Sequence, residues 1–156
     1  MARRFKMSHP MAAAALAVVA LWPAMAGATL GQPEASVQSD GIGLHGSIKQ
    51  ATDHPLYRVH EIQLPSGTAV REYADLNGFV FAVAWQGPFM PNLRQMLGAY
   101  FDDYATAAQS HGADHRHLEI RRADLVVQSA GHMRAFAGRA YLPQALPAGV
   151  APGELQ

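Results

Sequence analysis

The densest run of side chains able to do chemistry lies late in the chain, at His111-Gly112-Ala113-Asp114-His115-Arg116-His117. Imidazole nitrogens bind zinc, copper or nickel, and His115 and His117, two residues apart, would share one side of a strand. His111 could supply a third ligand and Asp114 a carboxylate. The segment also follows a helical pattern, where the helix dipole favours histidine, and Gly112 and Asp114 mark an exposed loop. His111, His115 and His117 are therefore either weak transition-metal ligands or a solvated loop. No other cofactor is indicated.

Ser129, His132 and Asp124 have the residue types of a hydrolytic triad. Ser129 sits in Val126-Val127-Gln128-Ser129-Ala130-Gly131, without the glycine that precedes the serine of a nucleophile elbow. Triples of this kind arise by chance in a chain with eight histidines. Asp102 and Asp103 are adjacent on a helical pattern, so their carboxylates point in different directions on its polar face. No catalytic residue is assigned.

Arg71-Glu72-Tyr73 has a different character. On a strand, Arg71 and Tyr73 lie on one face and Glu72 lies with Val70 on the other. These charges either pair across strands or, with Trp85 nearby, leave Arg71, Tyr73 and Trp85 as a surface for a ligand or partner. Trp85 is read in two ways, as a core residue or as the rim of a pocket.

The elements that must hold these residues follow from periodicity. Tyr57–Leu64 is rich in β-formers, and Pro65-Ser66-Gly67 supplies a turn. Thr68–Ala74 alternates, and Asn77-Gly78 tolerates the positive φ of a tight turn. Phe79–Trp85 places Phe79, Phe81, Val83 and Trp85 on one face and Val80, Ala82 and Ala84 on the other. A strand apolar on both faces belongs mid-sheet with both sides covered. Asn92 can cap a helix, with Gln95 completing a capping-box pattern. Leu93, Met96, Leu97, Tyr100, Phe101, Tyr104, Ala107 and Ala108 then fall within an arc of about 140°. His117–Arg122, Leu125–Ser129 and Met133–Tyr141 read as further strands, with Ser129–His132 as the last turn. Residues 29–54 read as an irregular arm with one short edge strand. The fold class is α+β: an antiparallel sheet of about six strands in βββ-α-βββ order, with one amphipathic helix packed on a face.

Residues 1–28 read as a signal peptide. Arg3, Arg4 and Lys6 precede the apolar run Met11–Trp22, Pro23 breaks it, and small residues follow at Ala24-Met25-Ala26 and Ala26-Gly27-Ala28. The run is too short for a membrane span, which takes about 20 residues. Cleavage near Ala26 or Ala28 would leave a single α+β domain at 29–142 and a poorly structured, Pro/Gly-rich tail at 143–156. It also removes three of twelve basic residues and none of twelve acidic ones, giving the mature chain a formal charge of −3. That balance argues against nucleic-acid binding. With no cysteine in 156 residues, disulfides, thiol nucleophiles and a lipid anchor through cysteine are excluded.

Several runs resemble a known family. They are Gly67–Tyr73, Gly78–Pro88, Pro91-Asn92-Leu93, Leu97–Phe101, Asp124–Val127 and Gly131–Ala140. The chain is similar over about Leu30 to Val150 to bacterial exported proteins grouped as domain of unknown function 2844. The resemblance implies export and assigns no activity. The expected protein is a periplasmic or secreted binding or structural module, non-enzymatic, whose partner is an envelope protein or a small ligand. The alternative is a small metal-binding protein or hydrolase using the His111–His117 loop.

Overall fold

The computed structural model describes residues 29–110 and 117–156. The expected leader and residues 111–116 lie outside them. A 3-10 turn (Glu34–Ser36) leads into α1 (Val37–Gly43), followed by β1 (Ser47–Ile48), β2 (Thr52–Asp53), β3 (Tyr57–Gln63), β4 (Ala69–Asp75) and β5 (Val80–Gly87). Helices α2 (Leu93–Leu97) and α3 (Phe101–Ser110) come next, and β6 (His117–Arg121), β7 (Val126–His132) and β8 (Ala135–Tyr141) complete the sheet. All pairings are antiparallel, in the order β1-β3-β4-β5-β8-β7-β6, with β2 also pairing with β3. The α+β class with an antiparallel sheet is as expected. The strands number eight among the described residues rather than six, and the helical segments are more numerous.

The extra elements come from the stretch expected to be irregular. Helix α1 has two glycines, a poor composition for a helix. A Cβ on Gly41 would meet the Ile48 side chain and one on Gly43 the Gln95 amide, so close packing requires the residues that lower the propensity. Strands β1 and β2 have two residues each and share the outer edge of β3. Short strands of this kind shield an edge that could otherwise recruit another chain.

Strand β5 lies in the middle of the sheet and is buried on both faces. Its two faces are not those that strict alternation predicts. Tyr73 pairs with Ala82 but Ala74 pairs with Val80, so Phe81 is the extra residue of a β-bulge. Val80, Val83 and Trp85 consequently face the helices with Val70, Met96, Leu97 and Val127. Phe81 joins Ala82 and Ala84 on the opposite face, among Tyr57, Tyr73, Tyr141 and Leu155. The expected Phe79/Phe81/Trp85 stripe is split by that one inserted residue.

The helical face is as read from the sequence. Leu93, Met96 and Leu97 are buried, and Tyr100, Phe101, Tyr104, Ala107 and Ala108 pack against the same cluster. Asn92 caps α2, its Oδ1 accepting from Gln95 N at 3.3 Å. The Gln95 side chain does not close a capping box; its Nε2 donates to the Asp40 carbonyl of α1 at 3.4 Å. Gly98, at φ 51°, separates α2 from α3. The last hairpin turns at Met133-Arg134, with Arg134 at φ 64°, rather than at Ser129–His132, which is part of β7. Among the described residues no helix is long and apolar enough to cross a membrane.

Trp85 pairs with Gly138 across β5 and β8, and a Cβ on Gly138 would collide with the indole and come within 2.8 Å of the Gln128 carbonyl oxygen. Gly138→Ala is expected to destabilise by about 1–3 kcal/mol, since neither a buried indole nor a ladder carbonyl yields easily. Urea unfolding checks this, and an unchanged midpoint would contradict the packing described.

Candidate functional site

Cross-strand register lines up one polar row on the face away from the helices. Glu61 of β3 stands beside Arg71 of β4, then Ala84 of β5, Arg139 of β8, Gln128 of β7 and Glu119 of β6. Neighbouring side chains bond along it. Arg71 Nε donates to Glu61 at 3.0 Å, Arg139 Nε to Gln128 Oε1 at 2.7 Å, and Gln128 Nε2 to Glu119 at 2.8 Å. A hydrogen bond from Lys49 holds the Glu61 carboxyl below its usual pKa; slight burial opposes this, and Arg71 adds to it.

Ala84 leaves a gap in the middle of the row, and the C-terminal segment fills it. Leu155 is 1% exposed and packs in the same cluster as Ala84. The flanking arginines bind the segment's main chain: Arg139 Nη1 donates to the Pro152 carbonyl at 2.5 Å and Arg71 Nη1 to the Gln156 main-chain oxygen at 2.9 Å. Tyr73 completes the seat. Its hydroxyl donates to the Gln156 oxygen at 2.7 Å and accepts from Gln156 N at 3.0 Å. Burial raises the pKa of this phenol, partly offset by the bond to Gln156 and the charge of Arg71. The expected loose tail is therefore a packed, two-sided contact.

Beside this segment the sheet is open. A cleft of about 490 Å³ is bounded by Gln86, His117, Gln128, Ala130, Ala137 and Arg139, with Leu155 and Gln156 forming one wall. It offers apolar surface from the two alanines and Leu155, and donors and acceptors from the amides, Arg139 and Glu119.

The face toward the helices holds a second unusual group. Glu72, paired in register with His60 and Val83, is 0% exposed, and neither carboxyl oxygen has a hydrogen-bond partner. Asp40 of α1 and Thr29 are likewise buried. Burial, then the nearby charge of Asp40, pushes the Glu72 pKa up to about 8, against a small opposing effect of the Thr29 hydroxyl. Burial raises Asp40 as well, against the bond from Ser36 and the nearby Thr29 hydroxyl.

The residues singled out in the sequence fall in separate places. Arg71 and Tyr73 share a face and act together, on the chain's own C-terminal segment. Trp85 pairs with Val70, with its side chain on the opposite face; it is a core residue at 2% exposure, and it also lines the cleft, opposite Gly138. Arg71 also makes the cross-strand ion pair, whereas Glu72 makes none. His117 borders the cleft and is exposed, while His111 and His115 lie outside the described residues. Among the described residues no three His, Asp or Glu side chains gather closely enough to hold a metal. Ser129 and His132, three apart on β7, take opposite faces, and Asp124 lies beyond the other end of that strand. Arg139, Gln128 and Leu155 were missed because their common site depends on register. Glu72 did carry a signal: it alternates with Val70 and Ala74, an acid on an otherwise apolar face.

Tyr73→Phe removes both bonds to Gln156 and should cost about 1–2 kcal/mol, at roughly 1 kcal/mol per bond. Hydrogen exchange should show faster exchange at Leu155 and Gln156 while α3 is unchanged. Uniform protection in the variant would count against the seat.

Nothing among curated proteins or solved structures matches the chain. The runs that carried the family resemblance supply β4, β5, β7 and β8, which are contiguous in the sheet. The chain belongs to the family described as Protein of unknown function (DUF2844), whose profile matches residues 26–155.

Proposed function

We propose that the protein is an exported, non-catalytic binding module that takes a peptide-like ligand in the cleft beside its C-terminal segment. Export is supported by the positive start, short apolar run and small residues of positions 1–28. The binding role is carried by one observation. The surface next to the cleft already receives a length of main chain, with Arg71, Tyr73 and Arg139 donating to main-chain oxygens of Pro152 and Gln156. Gln86, Gln128 and Gln156 extend that amide-rich surface into the open cleft.

Side-chain amides both donate and accept, so they can match the alternating groups of a peptide without adding net charge. Ala130 and Ala137 leave room for an apolar side chain between them. Gln128 keeps one N–H and one oxygen lone pair beyond its bonds to Glu119 and Arg139, and ligand contacts fall chiefly on it and on His117. The tail then acts as a wall that shapes the cleft.

Titrating the labelled mature protein with a library of short peptides, followed by amide NMR, tests this. Shifts should concentrate at His117, Gln128, Ala130 and Gly138. Gln128→Ala should weaken the best binder about fivefold, the equivalent of one hydrogen bond. No binding, or shifts confined to the helical face, would reject the proposal.

A further inference from the structure

Among the described residues no cationic side chain bonds the buried group formed by Glu72, Asp40 and Thr29. Both Glu72 oxygens, Asp40 Oδ1 and Thr29 Oγ1 are buried without hydrogen-bond partners, an arrangement that costs free energy at every atom. Among the described residues the charged and titratable neighbours do not supply the missing donor. From β3, His60 stands opposite Glu72 but is bonded to Glu34 at 2.6 Å. From β5 the neighbour in register is Val83, and from α2 Gln95 reaches only the Asp40 carbonyl. Ser36 bonds Asp40 Oδ2 at 3.1 Å and leaves Oδ1 free.

Thr29 is the first residue after Ala26-Gly27-Ala28, whose small residues stand three and one positions before the Ala28–Thr29 bond. That is the pattern read by the peptidases that remove export leaders. Hydrolysis of this bond consumes one water. The Ala28 carbonyl carbon takes the oxygen and leaves as a carboxylate, and the Thr29 nitrogen becomes an ammonium. That nitrogen is three bonds from its own Oγ1, so it stays within about 4 Å of it in any side-chain rotamer. It cannot easily swing into water. Leu30 N donates to the Met96 carbonyl at 3.1 Å, Gly31 N to the Val80 carbonyl at 2.9 Å, and Leu30 is 1% exposed.

We propose that the mature chain begins at Thr29 and that its new α-ammonium is the counter-charge of Glu72 and Asp40, a buried ion pair that only the processed chain can form. This rests on the export reading above and chooses between its two cleavage positions. Cleavage after Ala26 would leave Gly27 and Ala28 attached, with Thr29 N still an uncharged amide. Leader removal then completes the core, because until the bond is cut burial holds Glu72 in its neutral form with no partner for either oxygen.

The sign of the Glu72 contribution separates the two states. In the uncut chain Glu72 titrates near 8, above its ordinary 4.5, so its neutral form belongs to the fold. Stability from that form is complete below the ordinary value and lost as pH rises through about 8. With an ammonium beside it, the ionised form belongs to the fold at neutral pH, and Glu72→Gln removes a charge the core needs.

The test uses the full chain expressed for export, the product recovered from the periplasm, and its mass and terminal sequence determined. A start at Thr29 is expected. At pH 7, Glu72→Gln should then lower the Tm of the processed protein by about 5 °C or more. Should that variant not fold, the wild-type α-amino group is followed by NMR. Its pKa should stand well above the ordinary value of about 8. A start at Gly27 overturns this proposal and leaves export standing; an uncleaved cytoplasmic product overturns both. A start at Thr29 with a Glu72→Gln Tm unchanged or raised, or with an ordinary α-amino pKa, also overturns the ion pair.

Discussion

Strand β5 carries apolar side chains on both faces, and a sheet can keep such a strand only if each face is covered by something else. Its six residues Val80–Trp85 are all buried. At about 1.5–3 kcal/mol for each large side chain, leaving either face in water would forfeit a substantial part of the stability of a domain this size. On one face α2 and α3 provide the cover, with Met96 and Leu97 over Val83 and Trp85. On the other, the tyrosines of β3, β4 and β8 surround Phe81, and Leu155 returns from the C-terminal segment to close the cluster. The bulge at Phe81 lets a single strand serve both covers, because it puts Phe81 and Ala82 on the same side.

The two covers are fastened by different chemistry. The helices are held chiefly by the packing of a wide apolar arc, with a few polar ties such as Leu30 N to the Met96 carbonyl and Arg122 to Asp103. The C-terminal segment contributes only a few apolar residues, and its prolines and glycines leave carbonyls without ladder partners. Arg139 donates to the Pro152 carbonyl, and Arg71 and Tyr73 to the Gln156 main-chain oxygen. A polar row on the sheet thus does for irregular chain what hydrogen-bonded strands do for one another, and the adjacent cleft inherits the same amide-recognising surface.

Alternation and turn residues made the six long strands legible, and two-sided apolarity put β5 mid-sheet. The eight helical core positions were legible because a one-sided arc on a helix has few other uses. Three features were hidden for physical reasons. A bulge adds one ordinary residue, and nothing in Phe79–Trp85 marks Phe81 as the extra one. Helix α1 contradicts its own propensity, since its glycines serve contacts with Ile48 and Gln95. The seat of the tail is made with main-chain oxygens, which side-chain patterns do not display. For the site, Arg71 and Tyr73 were legible as a pair on one face. Trp85 lies on the other side, as the register Val70–Trp85 requires, and reaches the cleft only as a buried lining residue opposite Gly138.

Removing residues 152–156 and measuring the Tm tests most directly whether the second face of β5 depends on the returning chain. Loss of Leu155 burial and of the carbonyl bonds should lower the Tm by about 5–15 °C, a stability loss of a few kcal/mol. An unchanged Tm would mean that Phe81, Ala82 and Ala84 are adequately covered by the tyrosines alone, and would contradict the account.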